Sequence, residues 1–286
     1  MKPSTHERIT ALAVEIGAQS GNGGLARLFN DPAFRPGVIE GVVLEDAPTL
    51  SRLLNWHFHP TNETLRRKIW AIVEPNSRPL LARRQERFLE ACQGHPASNP
   101  YLLLGRIIHH IQDMSTPSHV VPVYHGPGLD DPYEDYLEVR WDDIQSCART
   151  RVRTLQHDAP PPAHDFLGLY DRAAQVTLLW LDADRRCIEV VVDDQIDYAS
   201  GALFWAGHEQ TFAEPPPYHS RGFGGFGPMG RQFGNGAEVV IGTHRHRVRD
   251  ASYLEVATHF VTQALEDTLA AMRLGAACLA GEPLPT

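Results

Sequence analysis

Residues 104–119 read Leu104-Gly105-Arg106-Ile107-Ile108-His109-His110-Ile111-Gln112-Asp113-Met114-Ser115-Thr116-Pro117-Ser118-His119. Just upstream, Asn99-Pro100 has the form of a helix start: an Asn that can cap, then a Pro at the first helical position, where its missing N–H costs nothing. The spacing predicts a helix from there to about Asp113, ended by the Thr116-Pro117 break. Leu102, Leu103, Ile107, Ile108 and Ile111 give that helix apolar sides to bury. His109 and Asp113, four apart, fall on one face and can share a metal ion. Pro117 turns the chain so that His119 can face back, and His125 follows six residues later. Glu134 lies on the next predicted helix, which Pro132 opens and which runs to about Arg149. Alone, His109 and Asp113 would fit a hydrogen-bonded pair. With His119, His125 and Glu134 beside them they fit a metal site, and imidazole and carboxylate donors suit zinc.

Outward from this stretch the pattern stays helical. Ser4 or Thr5 can cap a first helix with Ile9, Leu12, Ala13 and Ile16 on one face, broken at Gly21 to Gly24. An apolar segment covers Val38 to Leu44, and Arg78 to Cys92 reads as a helix with mixed charge outside. Helices are predicted near His164 to Leu181 and Asp193 to His208, and a last one of about 25 residues is capped by Asp250. Between Phe212 and Arg249 the composition turns to Gly and Pro, which predicts a long loop with a short hairpin around Glu238 to Arg247. The expectation is an all-α, single-domain, multi-helix fold over residues 1–286 with a Gly/Pro-rich insertion at about 212–249.

The 286 residues carry 26 Lys+Arg against 35 Asp+Glu, a net charge of −9. An acidic balance argues against broad nucleic-acid binding, which draws its affinity from neutralised phosphates. It leaves room for a small phosphodiester drawn to bound cations, because metal ions reverse the local field. No apolar run is long enough to span a membrane. The N-terminus lacks the features of a signal peptide, so the expected location is cytoplasmic, or secreted if an export signal has been removed. Cys92, Cys147, Cys187 and Cys278 are widely spaced and read as reduced core thiols.

In this light the chain resembles the zinc-dependent phospholipases C of bacteria and their relatives, the fungal single-strand-specific nucleases. The shared block is Leu104-Gly105, His109, Asp113, Pro117 and His119, followed by Tyr133-Glu134. Before it, in the same order, come His6, Ile9 and Ala13, then Gly41 and Asp46, then His57-Phe58-His59-Pro60. The resemblance covers residues 6 to 134 and implies a helical phospholipase C/nuclease-like fold holding about three zinc ions. It implies that Asp46, His57, His109 and Asp113 hold one zinc. By the same resemblance Asp113 would bridge to a second, held also by His6 and the N-terminal residue, Met1. His119 and Glu134 would hold a third. The family's usual His four residues before the helix carboxylate is Asp130 here, so either His125 or Asp130 completes that site.

The implied activity is hydrolysis of a phosphodiester by a metal-activated water, with Asp46 orienting or deprotonating that water. The expected substrate is a phospholipid or a related small phosphodiester, with transient contact to a membrane surface. The alternatives are a single-strand nuclease-like phosphodiesterase and a zinc-binding protein without activity. Ala47 stands where the phospholipases have an aromatic residue that helps to cage choline; Trp56, Phe58 or the glycine-rich loop would have to replace it. Phe223, Phe226, Met229 and Phe233 of that loop fit either an apolar lid or a packed surface segment. Of the remaining histidines, His59 and His110 read as neighbours of the site, His244 and His246 as part of a solvated segment, and His259 as buried structure.

Overall fold

A computed structural model describes residues 1–19, 23–47, 57, 59, 77–94, 99–120, 132–153, 163–181, 188–199, 238–241 and 244–282. It is mostly helical. The helices are α1 (Pro3–Gln19), α2 (Gly23–Asn30), α3 (Phe34–Glu45), α4 (Arg78–Cys92), α5 (Pro100–Asp113), α6 (Pro117–Val120), α7 (Pro132–Val139), α8 (Trp141–Arg153), α9 (Phe166–Leu181) and α10 (Asp250–Leu279). Four strands, β1 (Ile188–Val192), β2 (Gln195–Ala199), β3 (Glu238–Ile241) and β4 (His244–Val248), form an antiparallel sheet in the order β2-β1-β4-β3.

Helix α5 begins where the sequence reading puts it. The Asn99 side chain accepts a hydrogen bond from the Tyr101 N–H at 3.0 Å, and Pro100 follows at the first helical position. Leu104, Ile107, Ile108 and Ile111 of α5 are wholly buried, and each such side chain stabilises the fold by roughly 1.5–3 kcal/mol. They join one continuous core with Ile9 and Leu12 of α1, Val38 and Val42 of α3, and Ala257, Val261, Ala264 and Leu265 of α10.

Helices α3 and α5 cross in backbone contact. A Cβ on Gly41 would stand 2.2 Å from the Leu102 carbonyl oxygen, and one on Gly105 would stand 2.2 Å from that of Val38. Only glycine allows this approach, which brings the C-terminal end of α3, and Asp46 just after it, beside the His109 face of α5.

Several boundaries differ from expectation. The helix predicted from Pro132 to Arg149 is two helices, parted at Arg140, whose guanidinium pairs with Asp143 and Asp250. Asp250 is the first residue of α10, not its cap, and spends its carboxylate on Arg140. No helix starts at Asp193. Residues 188–199 form a β-hairpin whose two-residue turn, Asp193-Asp194, has φ of 47° and 65°, as a hairpin turn that matches strand twist requires. Residues 200–208 lie outside the described residues. The hairpin expected around Glu238 to Arg247 is present as β3 and β4.

Cys278 is buried and Cys92 half-buried, but Cys147 is exposed on α8, so it is not a core thiol; Cys187 lies outside the described residues. Among the described residues no helix is long and apolar enough to cross a membrane. Trp56, Phe58, Phe223, Phe226, Met229 and Phe233 lie outside them.

Candidate metal centre

The site grows from one turn of α5. His109 and Asp113 lie on the same face, with His109 Nε2 3.2 Å from Asp113 Oδ2. After Asp113 the chain tightens: Thr116 N–H donates to the Asp113 carbonyl and His119 N–H to that of Thr116, at 2.9 Å each. That turn sends His119 back, so that its Nε2 lies 3.5 Å from Asp113 Oδ1. A reciprocal tie holds the segment carrying His57. His119 Nδ1–H donates to the His57 carbonyl, and His59 N–H donates to the His119 carbonyl at 3.0 Å. His57 Nδ1 then sits 3.0 Å from Asp113 Oδ2 and 3.0 Å from His109 Nε2.

Helix α1 adds His6, with Nε2 3.3 Å from Asp113 Oδ1, and α3 adds Asp46, with Oδ1 3.6 Å from His109 Nε2. The Met1 amine stands 3.2 Å from Asp113 Oδ1, 3.0 Å from His119 Nε2 and 3.1 Å from Glu134 Oε1 of α7. Lys2 pairs with Asp135 and Glu138, and Ser4 Oγ donates to Glu138, which fastens this end of the chain to α7. Thus Met1, His6, Asp46, His57, His109, Asp113, His119 and Glu134 meet in one place. His125 and Asp130 lie outside the described residues.

Asp113 is at the centre. Its Oδ1 faces His6, His119 and the Met1 amine, and its Oδ2 faces His57 and His109. Its carboxylate therefore has one oxygen toward each half of the donor set, the arrangement of a bridging ligand. His6, His109 and Asp113 are at most 1% exposed, whereas the Asp46 and Glu134 side chains keep 11% and 10%.

The electrostatics follow from three carboxylates, Asp46, Asp113 and Glu134, packed together with at most 11% of each side chain exposed. Such charge needs a cationic partner. Burial works to lower the Met1 amine, yet Glu134, Asp113 and Asp46 raise it to about 11. His109 is likewise raised, with Asp46 and Asp113 overcoming the effect of burial. Burial would raise the Asp113 carboxyl, but His119, the amine and His109 hold it well below the usual carboxylate range.

The donor set fits metal ions. A carbonyl only accepts, so the bonds from His109 Nδ1 to the Val42 carbonyl (2.9 Å) and from His119 Nδ1 to the His57 carbonyl commit both Nδ1 atoms as N–H. Each Nε2 is then the atom left for a proton or a metal, and each faces carboxylate oxygen. Outer partners of this kind are what orient histidine ligands. Among the described residues, donor groups of one atom per residue, all within 4.8 Å of one another, are His6, Asp46 and His109; His57, His109 and Asp113; and Glu45, His57 and His110, all buried save the partly exposed Asp46. The first two of these groups could hold metal ions.

The third group has a different character. Glu45 Oε1 takes His110 Nε2–H at 3.1 Å and Arg84 at 3.2 Å, and Arg106 stands 3.6 Å from Oε2. Burial works to raise the Glu45 carboxyl, but His110 and Arg84 hold it far below its usual range. Two guanidinium groups already over-neutralise this carboxylate, so a divalent cation would be repelled. The cluster instead anchors the end of α3 next to Asp46, and His110 stands edge-on to the His57 ring at 4.6 Å.

His110 is therefore a neighbour of the site, as its position off the His109 face implied. His59 is turned to other partners, stacked on Tyr170 at 5.3 Å with Nε2 3.4 Å from Asp171. His259 is half-buried and stacks on Trp180. Arg245 and Arg247 of β4 are exposed, in keeping with a solvated segment.

Sequence reading did not single out Glu45 or Gln112. The available signal was the same for both: a polar side chain next to a ligand candidate inside an apolar helical run, Val42-Val43-Leu44-Glu45 and Ile111-Gln112. Compared with protein-family models, curated proteins and solved structures, the chain matches none of them.

Proposed function

We propose that this chain is a zinc-dependent phosphodiesterase that hydrolyses a phospholipid or a related small phosphodiester. The observation that carries the reading is the single Asp113 carboxylate, which meets imidazole nitrogens on both of its oxygens and the Met1 amine on Oδ1. The blocks shared in order with zinc-dependent phospholipases C, from His6 to Glu134, support the same reading.

Met1, His6, Asp46, His57, His109, Asp113, His119 and Glu134 would hold about three zinc ions, a number suited to phosphodiester chemistry. Bound zinc supplies Lewis acidity and makes water acidic enough to ionise near neutral pH. The protein's share is positioning and proton handling. Asp113 and Asp46 offset the charge of the cations. Asp46 is more exposed than Asp113, at 11% against 1%, and sits at the end of a helix anchored through Glu45, so it can orient an attacking water and take its proton. No serine or cysteine nucleophile is required.

The deep burial of His6, His109 and Asp113 also fits a zinc-binding protein without activity. The solvent reach of Asp46 and Glu134 favours the enzyme. The test is to supply zinc and offer phosphatidylcholine vesicles, a soluble aryl phosphodiester and single-stranded DNA in parallel. The proposal expects zinc-dependent cleavage of the phospholipid or the aryl diester. Cleavage of DNA alone would move the assignment to the nuclease branch, and zinc binding with no turnover of any of the three would leave the inactive protein.

A further inference from the structure

We infer that Gln112 is a positioning residue for the metal centre: it fixes the tautomer of His6 and so aims a bare Nε2 at Asp113. This rests on the metal-binding reading above. The chain of bonds starts in the core of α10. Thr268 Oγ1 donates its single proton to the Ala264 carbonyl at 2.6 Å. Toward Gln112, 3.0 Å away, the hydroxyl can then only accept. The Gln112 atom facing Thr268 must therefore be the amide nitrogen, and the same nitrogen donates to Thr10 Oγ1 at 3.0 Å. The amide oxygen is left facing His6 Nδ1 at 2.7 Å. An oxygen at that distance requires His6 Nδ1 to carry the proton.

His6 Nε2, buried and with no hydrogen-bond donor or acceptor satisfying it, then presents its lone pair 3.3 Å from Asp113 Oδ1. A flipped amide would set the Gln112 oxygen against the Thr268 lone pairs and turn the amide N–H groups toward His6. Every polar atom of the Gln112 side chain is thus used, and all of them are buried. Histidine ligands are usually aimed by a carbonyl or carboxylate on the opposite nitrogen; here a side-chain amide takes that part, itself oriented from a helix that contributes no ligand. The His109 and His119 tautomers are set by backbone carbonyls, so His6 is the one among these three that a single side-chain change can release.

The test uses the full-length chain, zinc-free and zinc-loaded, with long-range proton–nitrogen NMR to read the His6 tautomer and calorimetry with Zn2+ to read affinity. Wild type is expected to hold the proton on Nδ1 in both forms. Gln112→Met, close in shape but without an acceptor, should bind one Zn2+ about 10- to 100-fold more weakly. The tautomer of wild type, which needs no variant, keeps the inference testable should Gln112→Met fold badly, and circular dichroism shows whether it has folded. A proton on His6 Nε2 in wild type, or unchanged Zn2+ affinity in a folded Gln112→Met, overturns the role of Gln112 while leaving the metal centre standing. A wild-type chain that takes up no Zn2+ overturns the metal-binding reading and this inference with it.

Discussion

Gly41 and Gly105 abut where α3 crosses α5, so closely that a Cβ built on either would lie within 2.9 Å of the other's Cα. The atoms in the way are backbone, which cannot swing aside. The same crossing carries the bond from His109 Nδ1–H to the Val42 carbonyl and ends beside Asp46. Gly105→Ala should therefore cost about 3 kcal/mol or more and weaken metal binding as well. Chemical denaturation and zinc titration of the same variant check this. A variant as stable as wild type would mean that the helices can part without cost.

Asp113 faces both halves of the donor set, so its charge should be needed by more than one ion. Asp113→Asn keeps the shape and removes that charge. Zinc affinity should fall by more than about a hundred-fold, a loss beyond that of an outer partner. Because binding to the folded state alone stabilises it, a chelator should lower the melting temperature of zinc-loaded wild type. Asp113→Asn should show a much smaller shift with chelator than wild type. A chelator effect as large as that in wild type would remove Asp113 from the centre.

The Met1 amine lies within 3.2 Å of Asp113, His119 and Glu134, closer to these groups than a side chain added before it would allow. Extending the chain by a few residues before Met1 should cost one zinc site and leave the others. Zinc counts on extended and unextended protein make the comparison; equal counts would mean that the amine is not a ligand.

A separate expectation concerns Asp267 on α10. Burial pushes its carboxyl up to about 7, against the pull of Arg172. The unfolded chain gives up this proton near pH 4 while the folded chain keeps it to about 7. A raised folded-state value contributes stability that is present in full below about pH 4 and is lost as pH rises through about 7, a change on the order of 4 kcal/mol. Asp267→Asn removes that slope. The stability of the variant relative to wild type should rise between pH 4 and 8, as read from paired denaturation curves. A difference that does not vary with pH would contradict the assignment.

What was legible in the sequence was local. Asn99-Pro100 announces α5 because cap and proline act within one turn, and the spacing of His109 and Asp113 follows from helix geometry. Asp193-Asp194 misleads because a left-handed two-residue turn usually shows itself by glycine, and neither residue is one. The break at Arg140 depends on Asp250, 110 residues away, and the role of Glu45 depends on Arg84 and Arg106 from two other helices. Gln112 is the clearest case. Its function exists only once α1, α5 and α10 have brought His6, Thr10 and Thr268 around it. The sequence pattern marked the donors; the groups that aim them are assembled by packing.

The carboxylates and imidazoles around Asp113 are proposed to hold a zinc cluster that hydrolyses phosphodiesters. The most direct measurement is elemental analysis of the purified chain after zinc is supplied and the excess removed, followed by a phosphodiester assay on the same sample before and after chelation. The expected result is about two to three zinc per chain and activity that chelation abolishes and zinc restores. Less than one zinc per chain under these conditions would contradict it.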